Sequence, residues 1–167
     1  MSVIINEWLP DPAGADAEGE FIELFNSGEG AQILSGWSIK DKSGKEFNLA
    51  GKTIEARDFL VLPYKETKIT LNNQDEEVVL LRKGEAVDKA SFSGPAPSGQ
   101  SFSRAGDTFF FSEPTPGAAN TVPVSAEKPQ VEAIATSNMA GAVGTAVVLG
   151  LLFGVMAGYA YKIVIND

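Results

Sequence analysis

The chain has 167 residues, a formal net charge of −9, and neither cysteine nor histidine. That excludes disulfides and thiolate zinc sites, and it removes the commonest general base along with every Ser-His-Asp or Cys-His arrangement. It also argues against a nucleic-acid partner, whose phosphates need clustered Lys and Arg.

The first stretch, Val3–Asn26, reads as two strands, about Ser2–Glu7 and Glu20–Asn26, flanking an acidic loop broken by Pro10, Pro12 and Gly14. Asn26, Ser27, Gly28 and Gly30 then supply a turn. Gly36–Asp41 alternates, Trp37 and Ile39 on one face and Ser38 and Lys40 on the other, as a half-buried strand does. Asp41–Gly44 turns the chain into a return strand over Glu46–Leu49. Phe59–Pro63 is a buried strand, too short for a helix, and Ile69–Leu71 is expected to be another. Val78–Arg82 and Ala86–Phe92 form a hairpin around Lys83-Gly84-Glu85, and Ser101–Arg104 and Thr108–Phe111 form the last pair. Short strands at regular spacing predict an all-β sandwich or barrel, with Trp37, Ile39, Ile22, Leu24 and Leu80 in its core.

Several motifs carry a family resemblance. INEWLPDP at Ile5–Pro12, EFIELFN at Glu20–Asn26, LSGW at Leu34–Trp37, ITLNNQDEEVVLL at Ile69–Leu81, SFSR at Ser101–Arg104 and PTPGAAN at Pro114–Asn120 occur in that order. The chain resembles the lamin tail domain over about Val3–Asn120, departing from it at Gln74, where the family usually carries Gly. The resemblance implies an immunoglobulin-like β-sandwich without enzymatic activity. Such domains serve as interaction modules in nuclear lamins and in many bacterial surface or exported proteins.

Composition shifts after residue 120. The predicted organisation is a sandwich over 1–120, a Pro-, Ala- and Ser-containing linker over 121–138, a transmembrane helix over 139–161 and a short polar tail over 162–167. Met139–Tyr161 carries no charge, and Tyr159 and Tyr161 stand at one end, where amphipathic rings prefer the headgroup level. Lys162 after the span places the C-terminus in the cytoplasm and the sandwich outside it; the alternative is a tail anchor with a cytoplasmic sandwich.

Candidate sites are few. Gly150, Gly154 and Gly158 fall near one helix face, a spacing that lets helices pack closely in lipid and so predicts a homo-oligomer. Asp11, Asp16, Glu18 and Glu20 offer oxygens to a calcium ion, although their spacing is not that of an EF-hand and a solvated acidic loop is the preferred reading. Trp8, before Pro10 at a loop edge, is a candidate exposed contact, with packing as its alternative. Glu23 lies between Phe21 and Phe25 on its strand face, and burial there would call for a cation such as Arg104 or Arg57. No catalytic residue or cofactor is expected. The sequence supports a membrane-anchored binding module for a protein or cell-envelope partner, or alternatively an assembly protein whose helices build an array.

Overall fold

The computed structural model describes residues 2–15 and 19–121. Its strands, in chain order, are β1 (Val3–Leu9), β2 (Phe21–Asn26), β3 (Gln32–Ile33), β4 (Trp37–Lys40), β5 (Glu46–Asn48), β6 (Thr53–Ile54), β7 (Phe59–Pro63), β8 (Glu77–Arg82), β9 (Glu85–Ser91), β10 (Ser101–Ala105) and β11 (Thr108–Ser112). A single-turn helix, α1 (Tyr64–Thr67), follows β7.

The pairings build a five-stranded sheet in the order β11-β10-β1-β2-β7 and a four-stranded sheet in the order β5-β4-β8-β9, with β3 and β6 as a separate ribbon. All of these pairings are antiparallel. The two main sheets share one core. Val3, Ile5, Trp8, Ile22, Leu24, Leu62 and Phe102 from the first pack with Trp37, Ile39, Val78, Leu80 and Ala90 from the second. Side chains that alternate along each strand put these residues on inward faces, which is why the apolar pattern alone forecasts the layers.

The sandwich departs from regular alternation at two places. β1 carries an irregularity between Ile5 and Glu7, so one extra residue shifts its phase. Val3 and Ile5 point inward, Glu7 outward, and Trp8 inward again. The second departure is at Ile69–Leu71, expected as a strand. Ile69 and Leu71 are buried, but no strand forms; the Thr67 hydroxyl accepts from Ile69 N–H at 3.2 Å and the Glu20 carboxylate from Leu71 N–H at 3.2 Å. Side-chain acceptors replace the ladder there.

Among the described residues no helix is long and apolar enough to cross a membrane. The expected span over Met139–Tyr161, with Gly150, Gly154 and Gly158, lies outside the described residues, as does nearly all of the linker.

Candidate functional site

The outer face of the five-stranded sheet holds a cluster of buried polar groups. Glu7 on β1 stands opposite Glu23 on β2 and opposite Ser103 on β10. Both carboxylates have 0% exposure. The segment after β11 covers them. Thr115 N–H donates to one Glu7 oxygen at 2.9 Å and its hydroxyl to the other at 3.1 Å, while Gly117 N–H donates to Glu23 at 2.5 Å. Gly117 has φ 79°, a left-handed conformation that glycine adopts without a side-chain clash. The Ser101 hydroxyl also donates to Glu7, and the Asn6 amide donates to Glu23 at 2.7 Å.

Asn120 closes the cluster. Its amide donates to the backbone oxygens of Asn6 at 3.1 Å and Arg104 at 2.9 Å, and its own oxygen accepts from Asn6 at 3.2 Å. The last motif is thereby tied to the first and to β10. Among the described residues neither carboxylate has a cation partner. Arg104, one of the partners expected for Glu23, points inward instead. It bonds Asp88 of β9 at 2.5 Å and the Ile5 carbonyl at 2.6 Å, and Asp88 also accepts from Ile5 N–H at 2.7 Å. The irregularity in β1 frees both polar groups of Ile5 for this inter-sheet clasp. Arg57, the other expected partner, pairs with Glu29 at the surface.

Electrostatics follow from that inventory. Burial pushes the Glu23 carboxyl above the usual carboxylate range; Gly117 N–H and the Asn6 amide oppose the rise, and the neighbouring Glu7 adds to it.

Other acids of the sandwich accept from backbone N–H groups in the same way. Glu76 accepts from Asn72 N–H at 2.6 Å and Lys42 N–H at 2.9 Å. Asp41 accepts from Lys45 N–H at 2.8 Å, and Asp75 from Gly94 N–H at 2.6 Å. Asp75 itself has φ 55°, so the left-handed position of this turn falls on Asp75 rather than on Gln74. Lateral reach makes these carboxylates substitutes for missing ladder partners, and it satisfies the buried Glu76 and Asp41 as buried acids are ordinarily satisfied.

The candidates from the sequence fare unequally. Trp8 is not an exposed contact. The phase shift in β1 turns it inward, to 0% exposure, against Phe92, Phe102 and Phe109 at centroid distances of 6.5, 4.9 and 5.6 Å. Of the four calcium candidates, Asp11 accepts from the Asn73 amide at 3.2 Å, and Glu20 is buried at the sandwich end. Asp16 and Glu18 lie outside the described residues. Among the described residues, no group of three or more acids is placed to hold a metal ion. What the sequence reading missed is the covering segment, because its key donors are backbone N–H groups that no residue type announces. The nearest signal was the PTPGAAN motif, read only as a family mark.

A family model of the Lamin Tail Domain matches residues 1–94. The chain belongs to the lamin tail domain family. No curated protein matches it at a significant level. Lamin tail domains are non-enzymatic immunoglobulin-like domains. Here the sandwich continues past the matched residues, since β10 and β11 extend the sheet beside β1 and the segment after them covers it. A cleft of about 460 Å³ at the β8–β9 turn, lined by Arg82, Lys83, Glu85 and Val87, includes none of the buried motif carboxylates.

Proposed function

We propose that the chain is a non-enzymatic interaction module without a cofactor, held at a bacterial membrane by Met139–Tyr161 and displayed outside the cytoplasm to bind a protein or cell-envelope polymer. The observation that carries this reading is the uncharged run Met139–Tyr161 following a sandwich of a non-enzymatic family. As a helix with a rise of 1.5 Å per residue the run extends roughly 35 Å, enough for a hydrocarbon core of about 30 Å. The engagement of Glu7, Glu23, Glu76 and Asp41 by hydrogen-bond donors supports it, because a general acid or base must keep a free oxygen for substrate.

Fractionation of cells producing the full chain tests this reading. The protein should remain in the membrane pellet after alkaline extraction, and protease added outside the cytoplasmic membrane should digest the sandwich. Recovery in the soluble fraction overturns the anchor; protection from outside protease overturns the orientation in favour of the tail-anchored form.

A second reading rests on Gly150, Gly154 and Gly158. Small residues four apart permit close helix contact, so the helices would assemble and arrange the sandwiches in an array. Sizing in detergent decides between the readings, since a monomer at working concentration removes the assembly.

A further inference from the structure

Among the described residues the two main sheets have four end strands, β5, β7, β9 and β11. Three are blunted in ordinary ways: β5 has 3 residues, β9 carries Glu85, Asp88 and Lys89, and β7 ends on Pro63. β11 has no such device. Thr108–Ser112 reads Thr-Phe-Phe-Phe-Ser, pairs with β10 in unbroken register and carries neither charge nor proline. The segment that follows turns back over β1 and β2, where Thr115 and Gly117 bond Glu7 and Glu23, and so leads away from the free edge. We propose that the free edge of β11 is a docking site for an extended segment of another protein, which adds as an antiparallel strand and carries Lys or Arg at both ends of an uncharged, β-branched middle.

The backbone supplies the first half of the recognition. β10 and β11 are joined by the two-residue turn Gly106-Asp107, with Gly106 at φ 59°. Such a turn closes on a hydrogen-bonded pair, here Ala105 and Thr108, and bonded and non-bonded pairs then alternate. Thr108, Phe110 and Ser112 therefore direct their N–H and C=O to β10, while Phe109 and Phe111 aim theirs outward, where an added strand takes them up. The Phe109 and Phe111 rings pack on the core against Phe102 but are only partly buried. β-branched residues opposite them extend the core outward, an aromatic–β-branched pairing that sheets favour.

Charge supplies the second half, and it selects the occupant. Asp107 and Glu113 stand just beyond the two ends of β11, both exposed, and neither makes an ion pair among the described residues. A second copy pairing in full register about Phe110 would set Asp107 against Glu113 at each end, and like charges directly opposite destabilise a ladder. Shifting the register to part them shortens the ladder. A partner with Lys or Arg at those positions turns both contacts favourable. The assignment rests on the reading of the chain as an interaction module, not on the anchor.

Titration of the purified full chain in detergent with the peptide Lys-Thr-Val-Thr-Val-Thr-Lys tests the site, its Val residues falling opposite Phe109 and Phe111. Saturation should slow hydrogen exchange at the Phe109 and Phe111 amides several-fold and leave Val78–Leu81 of β8 unchanged. The same peptide with Glu at both ends should bind at least about fivefold more weakly at low salt. Asp107→Lys combined with Glu113→Lys should reverse that order; if this variant does not fold, the wild-type chain with the two peptides still decides. Unchanged exchange at Phe109 and Phe111 up to millimolar peptide overturns the proposal, and so does equal affinity for the two peptides. Protection of these amides that rises with protein concentration in the absence of peptide overturns it in favour of a second copy. None of these results bears on the membrane anchor, which fractionation tests separately.

Discussion

Replacing Arg104 by Met should unfasten the two sheets. Arg104 and Asp88 have side-chain exposures of 13% and 16%, so their ion pair is largely shielded from water. Arg104 also bonds the Ile5 carbonyl and lies over the Phe109 ring, 4.5 Å from its centroid. Without the guanidinium, the Asp88 carboxylate keeps Ile5 N–H as its donor and the Ile5 carbonyl loses its side-chain partner. Removing one partner of a buried pair costs about 3–5 kcal/mol. Taking the lower figure, and a urea slope of about 2 kcal/mol/M for a domain of this size, the midpoint falls by about 1.5 M. The assay is urea unfolding of residues 2–121 followed by tryptophan fluorescence, since Trp8 and Trp37 are both buried. Asp88→Leu should also destabilise, because it strands Ile5 N–H. The double variant should be more stable than the sum of the single losses implies, with a coupling of about 1–3 kcal/mol. Single losses that add within about 0.5 kcal/mol would refute the clasp, because independent sites add to that accuracy.

Three further outcomes are expected. Trp8→Ala should lower stability by about 3–5 kcal/mol in the same urea assay, as loss of a core aromatic does; Trp8→Phe should cost much less, since it keeps the ring contacts and removes an indole N–H with no hydrogen-bond partner among the described residues. Millimolar calcium should leave the melting temperature of residues 2–121 where chelator leaves it, because Glu20 is buried and Asp11 is bonded to Asn73; a rise of several degrees would restore the acidic loop as a cation site. In a membrane association assay on residues 138–162, Gly154→Leu should abolish the oligomer while Leu152→Ala leaves it; equal monomeric signals from wild type and Gly154→Leu would reduce the helix to a plain anchor.

The sandwich was legible wherever strands were long enough to show a period. Trp37 and Ile39 enter the core as the alternation over Trp37–Lys40 predicts, although Ser38 on the other face is buried as well, and the apolar run Phe59–Pro63 has the bounds of β7. Gln32–Ile33 and Thr53–Ile54 went unread because two residues carry no period. Ile69–Leu71 misled in the opposite direction, since alternate burial arises there without a ladder. Trp8 takes its packing alternative rather than the exposed contact: the irregularity after Ile5 flips the phase, so a side chain next to a loop edge belongs to the core. The partners of Glu23 were illegible for a different reason. A buried acid suggests a cation, whereas here the answer is a backbone N–H more than ninety positions away, at Gly117. Distant main-chain donors leave no mark in composition or spacing.

β10, β11 and the strap Glu113–Asn120, which covers Glu7 and Glu23, complete the fold that the earlier motifs begin. Residues 2–94, close to the stretch matched by the family model, retain β1, β2 and Trp8 but lack Ser101, Thr115 and Gly117 as donors and Phe102 and Phe109 as ring neighbours. Thermal unfolding of residues 2–94 beside residues 2–121 is the direct measurement. The longer segment should melt in a single cooperative transition, and the shorter should show none. A cooperative transition in residues 2–94 near the temperature of the longer segment would contradict the account, because Glu7 and Glu23 would then be buried by something other than the strap.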